Sequence, residues 1–178
     1  RLCLERGADP PFIHNRLPAA AQAVDAVTHR GDDKAPVLPR LGHIEHRFGN
    51  VDTARDRFTA SVEGFRTLSI PWGTGNALIG LAGIALAEGD TGQAERLLDE
   101  ATSVLRHCPW FLALVSYRRA LLAVRRGNPD DAIALVRESL TRIRELHDKF
   151  EFVYAMVPLA AAAVLKGDDV WAARILGA

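Results

Sequence analysis

LAGIALAEGDTGQA, residues 81–94, is the stretch that decides the fold, because the Gly-Asp pair at its centre recurs along the chain. A glycine followed by Asn or Asp occurs at Gly49, Gly89, Gly127 and Gly167, with spacings of 40, 38 and 40 residues. Glycine can adopt the left-handed conformation that ends a helix, and the Asn or Asp after it can cap the next one. The four turn glycines therefore predict a series of helical hairpins.

The residues that flank the turn glycines repeat as well. A small residue stands seven positions before each glycine, an alanine five positions after it, and a bulky apolar residue nine positions after it in each copy. Small and bulky side chains at such intervals let antiparallel helices approach closely and interlock. The members of these three sets are Gly42, Ala82, Ala120 and Ala160; Ala54, Ala94, Ala132 and Ala172; and Phe58, Leu98, Val136 and Leu176.

These offsets resemble the tetratricopeptide repeat, whose signature has a Leu-Gly pair before the turn and small residues after it. Leu41-Gly42, Leu81-Ala82 and Leu159-Ala160 match the Leu-Gly position, whereas the third copy has Arg119-Ala120. The period also exceeds the usual 34 residues of that repeat. The resemblance implies an all-α fold, a right-handed α-solenoid of antiparallel helix pairs.

The repeat divides the chain into two regions. Residues 1–36 are predicted to hold a partial N-terminal repeat and a loop, and residues 37–178 four tetratricopeptide-like hairpins, the last of them truncated. We expect the chain to be a fragment of a longer protein, because it starts without Met and stops inside a helical pattern. The predicted helices cover residues 37–48, 51–68, 75–88, 90–106, 109–126, 129–147, 150–166 and 168–178.

Composition and charge indicate the setting in which the chain works. Lys plus Arg and Asp plus Glu number 22 each, so no global field draws the chain to nucleic acid or to a membrane surface. Two distant cysteines form no disulfide framework and favour a reducing, cytoplasmic location. The longest apolar run, residues 152–165, is shorter than the roughly 18–20 residues of a membrane span and contains Pro158, so we interpret it as a buried core helix.

The sequence contains only incomplete motifs for catalysis, metal binding and nucleotide binding. Gly73-Thr74-Gly75 lacks the third glycine of a dinucleotide fingerprint, and no phosphate-binding loop occurs. His43 and His46 share a helix face but have no third metal ligand, so we expect them on a surface or lining a groove. Cys108, before Pro109, is interpreted as a structural thiol. We expect no enzymatic activity, no cofactor and no metal.

The segment from 101 to 150 is locally basic, with nine Lys or Arg against five Asp or Glu. Two interpretations stay open for these cations. They either belong to a solvated face with ion pairs between repeats, or contact phosphate or an acidic peptide.

A second resemblance covers residues 65–106 and 143–178. The stretch Phe65-Arg66-Thr67-Leu68 with Trp72-Gly73, and the ending Trp171 to Ala178, are similar to the C-terminal repeats of large bacterial regulators. These regulators join an ATPase module to such repeats, and many carry a LuxR-type DNA-binding domain. The resemblance implies a role in transcriptional regulation, although neither the ATPase motifs nor the DNA-binding domain occurs in this sequence.

In such solenoids the first helix of each pair lines a concave groove, where a partner binds. The expected partner is a protein or peptide segment, supplied by a neighbouring domain, a second copy or another protein, with no nucleic acid contact and no membrane. An alternative is that tight curvature fills the groove with its own side chains. The predicted groove residues are Asn76, Ile79, Leu86, Tyr117, Leu121, Arg125, Tyr154 and Val157.

Two functions follow from this groove. The first is a non-catalytic protein-interaction and signal-relay module of a bacterial, LuxR-type, ATPase-linked transcriptional regulator. The alternative is a small-molecule effector-sensing domain that binds its ligand in the concave groove. A tryptophan lining would favour the effector, but Trp72, Trp110 and Trp171 fall near helix starts instead.

Overall fold

The computed structural model describes residues 42, 43, 45, 46, 48–145 and 152–177. This part of the chain forms seven α-helices and contains no β-strand, and the described residues from 42 to 46 are helical as well. The prediction of an all-α protein is confirmed for it. The helices are α1 (Val51–Thr67), α2 (Pro71–Glu88), α3 (Thr91–Val104), α4 (Pro109–Arg125), α5 (Pro129–Glu145), α6 (Phe152–Leu165) and α7 (Asp169–Leu176).

The four turn glycines share one backbone geometry. Each has a positive φ, between 74° and 83°. In each turn the N–H after the glycine donates to the carbonyl five residues back, over 2.9–3.0 Å. This bond satisfies a carbonyl that the helix end would leave free, and it directs the chain into the next helix. The predicted turns are therefore confirmed at all four positions.

The residue after the glycine caps the next helix in two of the turns. Asp90 Oδ1 accepts the Gln93 N–H at 2.8 Å, and Asp168 Oδ1 accepts the Trp171 N–H at 2.9 Å. At Asn50 the predicted side-chain cap is wrong, because the Asn50 amide donates to the Glu45 carboxylate at 2.7 Å instead. A charged acceptor makes the stronger hydrogen bond.

The helices pack in a regular order. We call the helix before each turn glycine a first helix and the helix after it a second helix. The first helices are the helical residues 42, 43, 45 and 46, then α2, α4 and α6, and the second helices are α1, α3, α5 and α7. The first helices α2, α4 and α6 contact one another in succession. Each of α3 and α5 contacts the first helices that precede and follow it in the chain. Short turns between antiparallel neighbours produce this arrangement.

The repeated small residues lie where helices meet. Ala54, Ala94 and Ala132 are fully buried, and Ala172 is nearly so. The bulky residues nine positions after the turn glycine are also buried in the first three copies, whereas Leu176 is 63% exposed. Buried apolar side chains form three clusters that follow one another along the chain, because each hairpin shares its apolar surface with its neighbours.

Helix α2 begins at Pro71, four residues before the predicted start at 75. Proline is favourable at the first helical position, since its fixed φ suits the helix and its missing N–H would have no partner there. Gly73 and Gly75 therefore lie within the helix rather than in a loop. A Cβ on Gly73 would overlap the Phe65 ring, and one on Gly75 would overlap the Leu105 side chain. These two glycines allow close packing.

Several expectations concern residues outside the described part. They include the partial repeat and loop of residues 1–36, the start of the helix predicted at 37–48, and residues 146–151. Each helix in the described part of the chain is too short or too polar to cross a lipid bilayer.

Candidate functional site

The predicted groove follows the first helices α2, α4 and α6, and its exposure changes along the chain. Ten residues before the turn glycine, Ile79 on α2 is 3% exposed, Tyr117 on α4 is 9% exposed and Val157 on α6 is 51% exposed. Three residues before it, Leu86 is buried, whereas Val164 is 54% exposed. Equivalent positions are thus covered at α2 and open at α6.

The remaining predicted groove residues differ in how far solvent reaches their side chains. Asn76 and Leu121 are half-buried, and Arg125 is exposed. The side chain of Tyr154 lies outside the described part of the structure. Ile79 and Leu86 belong to the main hydrophobic core, so they offer no open surface. Their burial has a packing cause, because α2 lies among α1, α3 and α4.

The interpretation of residues 152–165 as a wholly buried core helix is wrong for one face of α6. Pro158 is buried within the helix, but Val157, Val164 and Leu165 are about half exposed. Val157, Ala161 and Val164 are spaced by four and three residues and therefore share one helical face. We call these three residues the α6 stripe. Val170, Trp171 and Leu176 of α7 are further exposed apolar side chains.

Polar side chains of three first helices act on one another electrostatically at the other end of the groove. His43 and Asn76, on residues 42–46 and α2, form a side-chain hydrogen bond. Arg118 on α4 lies across α2 at Gly83, where an added Cβ would come within 3.0–3.1 Å of the guanidinium. The absence of a side chain at Gly83 therefore makes room for Arg118. We call His43, His46, Asn76 and Arg118 the polar cluster.

Aromatic rings hold two members of the polar cluster. The imidazole of His43 meets the buried Phe58 ring edge to face, with 4.9 Å between centroids. The guanidinium of Arg118 lies 5.3 Å from the centre of the Tyr117 ring, within the range of a cation–π contact.

Burial and the charge of Arg118 set the pKa values of the two histidines in the polar cluster. Burial lowers the pKa of His43, and Arg118 and His46 lower it further, while the hydrogen bond with Asn76 acts in the opposite direction. Burial and Arg118 also lower the pKa of His46. Both imidazoles are therefore held neutral near pH 7.

The basic residues of the segment 101–150 include cations that pair between helices. Arg126, the residue after α4, donates two hydrogen bonds to Glu95 on α3. Arg119 on α4 contacts Asp99 on α3 at 2.6 Å. Arg119 and Arg126 line a cleft of about 430 Å³ between α3, α4 and α5, together with Glu95, Asp131 and Glu138. Ion pairing between repeats is confirmed for these two arginines, and contact with phosphate or an acidic peptide stays a prediction.

Trp72 and Trp110 lie at the starts of α2 and α4, as predicted, but their contacts with Phe65 and Phe111 were not anticipated. Trp72 lies 5.4 Å from Phe65 and 6.5 Å from Phe111 between ring centroids, and Trp110 meets Phe111 edge to face at 4.7 Å. Pro71-Trp72 and Pro109-Trp110 are the shared sequence signal, since both prolines open a first helix. The contact between Trp72 and Phe111 connects the starts of the successive first helices α2 and α4.

Arg118 was also missed. Its sequence signal is weak, because the equivalent positions nine residues before the other turn glycines hold Arg40, Gly80 and Pro158, which share no residue type across the repeat. Its place beside Gly83 follows only from the packing of α4 against α2.

Other candidates for chemistry occupy ordinary structural positions. Among the described residues, no group of three or more His, Cys, Asp or Glu could hold a metal ion. Cys108 is the residue before α4 and is a half-buried free thiol whose backbone N–H donates to the Leu105 carbonyl. Comparisons of the whole chain with protein-family models, with curated proteins and with solved structures found no match.

Proposed function

We propose that the chain is a right-handed α-solenoid of tetratricopeptide-like hairpins. The four equivalent turns, the successive contacts of α2, α4 and α6, and the core clusters that follow the chain support this arrangement. In such an array each repeat contacts its neighbours only, and the series of first helices forms an extended surface.

The proposed function is a non-catalytic protein-interaction and signal-relay module of a bacterial, LuxR-type, ATPase-linked transcriptional regulator in the cytoplasm. The α6 stripe is the observation that carries the interaction role. Exposed apolar side chains at helical spacing suit the apolar face of a partner helix. The resemblance of residues 65–106 and 143–178 to the repeats of such regulators supports the regulatory setting.

Site-specific photo-cross-linking in cells that express the chain tests the interaction role. A cross-linking amino acid at position 157 or 164 should give discrete adducts, and Val157→Glu should remove the adducts formed from position 164. Ala134, exposed on α5, is the matched control position. Equal adducts from position 134, or adducts that persist in Val157→Glu, would contradict a specific surface on α6.

The mass of the particle in solution distinguishes a second copy of the chain from another domain as the partner. Light scattering during size-exclusion chromatography should show a concentration-dependent dimer if a second copy binds the α6 stripe, and a monomer if the partner is another domain. In the regulator that contains this chain, Val157→Glu with Val164→Glu should alter reporter transcription, because the relay would lose its contact. Unchanged transcription would contradict the relay.

A second candidate function is effector sensing in the concave groove, and the polar cluster favours it. Convergent polar groups on three helices, beside the Tyr117 and Phe58 rings, are typical of small-molecule sites. A true effector should raise the melting temperature of the chain in proportion to the logarithm of its concentration. Val157→Glu should leave that increase intact, which separates the two functions.

A further inference from the structure

The α6 stripe has equivalents on the two preceding first helices, at the positions ten, six and three residues before the turn glycine. On α2 these positions hold Ile79, Gly83 and Leu86, and both apolar side chains are buried. On α4 they include Tyr117, which is buried, and Val124, which is half-buried. Of these three stripes, the one on α6 is the most exposed.

One face of the following first helix covers the α2 stripe. Val115 and Leu122 of α4 lie in the same core cluster as the two large side chains of that stripe, and the Arg118 guanidinium lies beside Gly83. These α4 residues stand twelve, nine and five positions before their turn glycine and therefore share one helical face. We call the residues at these three positions of a first helix its covering face.

The covering face of α6 packs on α4 in the same way. Ala155 and Ala162 are buried in one apolar cluster, and Val124 of the α4 stripe packs against that cluster. Pro158, which lies between the two alanines on this face, is also buried. Two successive junctions thus follow one rule, in which the covering face of a first helix lies on the stripe of the first helix before it.

The second helix contributes the other side of such a junction. Phe58 on α1 is fully buried, and a Cβ on Gly80, the central covering position of α2, would overlap its ring. Leu98 and Val136 occupy the position of Phe58 in the next two repeats and are buried as well, whereas Leu176 on α7 is exposed. We call the α6 stripe and Leu176 together the docking surface.

Contacts between neighbouring helices give the direction of a helix that fits there. Glu95 on α3 pairs with Arg126. Asp99, one turn later on α3, pairs with Arg119, which comes earlier in the chain than Arg126, so α3 and α4 are antiparallel. The short turn at Gly89 makes α2 and α3 antiparallel as well. Successive first helices therefore run in the same direction.

We propose that the docking surface binds one amphipathic helix of another polypeptide segment, parallel to α6, whose two apolar residues flank a central residue between Ala161 and Leu176. The helix is not α2, α4 or α6 of a second copy, because their covering faces are already buried, as Ala77 and Ile84 show for α2. The inference rests on the proposed function, since it names the kind of partner that the α6 stripe takes.

Disulfide trapping with a synthetic helix tests the proposal. The peptide copies residues 109–126, because α4 carries the covering face that packs on the α2 stripe. Three versions of the peptide contain Val115→Cys, Arg118→Cys or Leu122→Cys. The chain has both native cysteines replaced by serine and one new cysteine, and the mixture equilibrates in a glutathione buffer, where disulfides exchange. Circular dichroism confirms that each chain variant is folded.

The central residue of the peptide should reach both sides of the docking surface. The Arg118→Cys peptide is expected to form mixed disulfides with Ala161→Cys and with Leu176→Cys. Their yield should exceed that of Ala134→Cys, exposed on α5, by at least about tenfold, because binding raises the local thiol concentration. Equal yields at all three positions would overturn the proposal.

The flanking residues of the peptide report its direction. In the parallel arrangement the Leu122→Cys peptide pairs best with Val164→Cys, and the Val115→Cys peptide pairs best with Val157→Cys. The opposite preference overturns the parallel helix, and a dimer of the chain that Val157→Glu abolishes overturns it in favour of a second copy. Cellular adducts from positions 157 and 164, with no preferred pairing of the peptides, would contradict this inference alone and leave the proposed function standing.

Discussion

Arg126 forms a two-pronged ion pair with Glu95, with Nη1 3.0 Å from Oε1 and Nη2 2.9 Å from Oε2. Arg126 precedes a turn glycine, and Glu95 follows the previous turn glycine by six residues. Arg55 and Glu88 occupy the same two positions one repeat earlier with the charges reversed, and they also pair. Lys166, before the next turn glycine, pairs with Asp130 at 2.6 Å. In all three pairs one partner directly precedes a turn glycine, but Asp130 follows its turn glycine by three residues rather than six, so only the first two pairs are fully equivalent. Ion pairs near the turns therefore connect successive hairpins.

Reversal of the charges tests this connection. Glu95→Arg and Arg126→Glu should each lower stability, because each places like charges together, and the double variant should recover most of the loss. The hydrogen bond from Arg126 lowers the pKa of Glu95, so the stabilisation is present at neutral pH and is lost as the pH falls through that lowered value. Urea unfolding of the four proteins gives the coupling, and 1 M salt should reduce it. Strictly additive losses would show that the pair contributes nothing.

The turn glycines are predicted to be sensitive to substitution in a way that a helical glycine is not. Gly89→Ala should lower the free energy of unfolding by about 1–2 kcal/mol, because φ is +83° there. Gly92→Ala, three residues later, should raise it by about 0.5–1 kcal/mol, since alanine favours helix and its Cβ meets only ordinary contacts. Chemical denaturation measures both, and equal effects would exclude a special role for the turn.

Close packing against Phe58 makes Gly80 a second sensitive position. A Cβ on Gly80 would overlap the Phe58 ring, which is fully buried. We expect Gly80→Ala to cost about 1–3 kcal/mol despite its better helix propensity. In a Phe58→Leu background the same substitution should cost less, because the smaller side chain can move away. A cost that is unchanged in that background would place the strain elsewhere.

The stability of the chain should depend on pH through His43. Its pKa in the folded chain lies below the ordinary value of 6.5, so the unfolded chain binds more protons between the two values. The stabilisation is fully present above pH 6.5 and is lost as the pH falls through the lowered pKa. The melting temperature should therefore fall less between pH 7.5 and pH 5 in His43→Phe than in the unsubstituted chain. His107→Phe, at an exposed position, should keep the full decrease, and an identical decrease in His43→Phe would contradict the prediction.

The helices and turns could be predicted because their causes are local. The left-handed glycines, the caps at Asp90 and Asp168 and the buried alanines after each turn follow from residues within one or two helical turns of them. The predicted start of α2 was four residues too late, because Gly73 and Gly75 are typical of loops. In the structure these glycines lie in the helix and leave space for Phe65 of α1 and for Leu105 at the end of α3.

The candidate site could be predicted only in part. The repeat offsets placed Asn76, Tyr117 and Val157 on the first helices, but they carried no information on which positions a neighbouring helix would cover. Ile79 and Val157 occupy the same repeat position, and one is buried while the other is half exposed. Arg118 was missed because Gly83, which its guanidinium lies beside, is distant in sequence and belongs to another helix.

By itself the sequence determined that this chain is helical and where its hairpins turn, because backbone conformation at a glycine and apolar spacing along a helix depend on nearby residues. The tertiary structure decided which groove positions remain open, which charges pair between repeats and which helix Arg118 lies across. Those outcomes depend on how successive helices lie against one another, and the distances between side chains from different hairpins are fixed only by that packing.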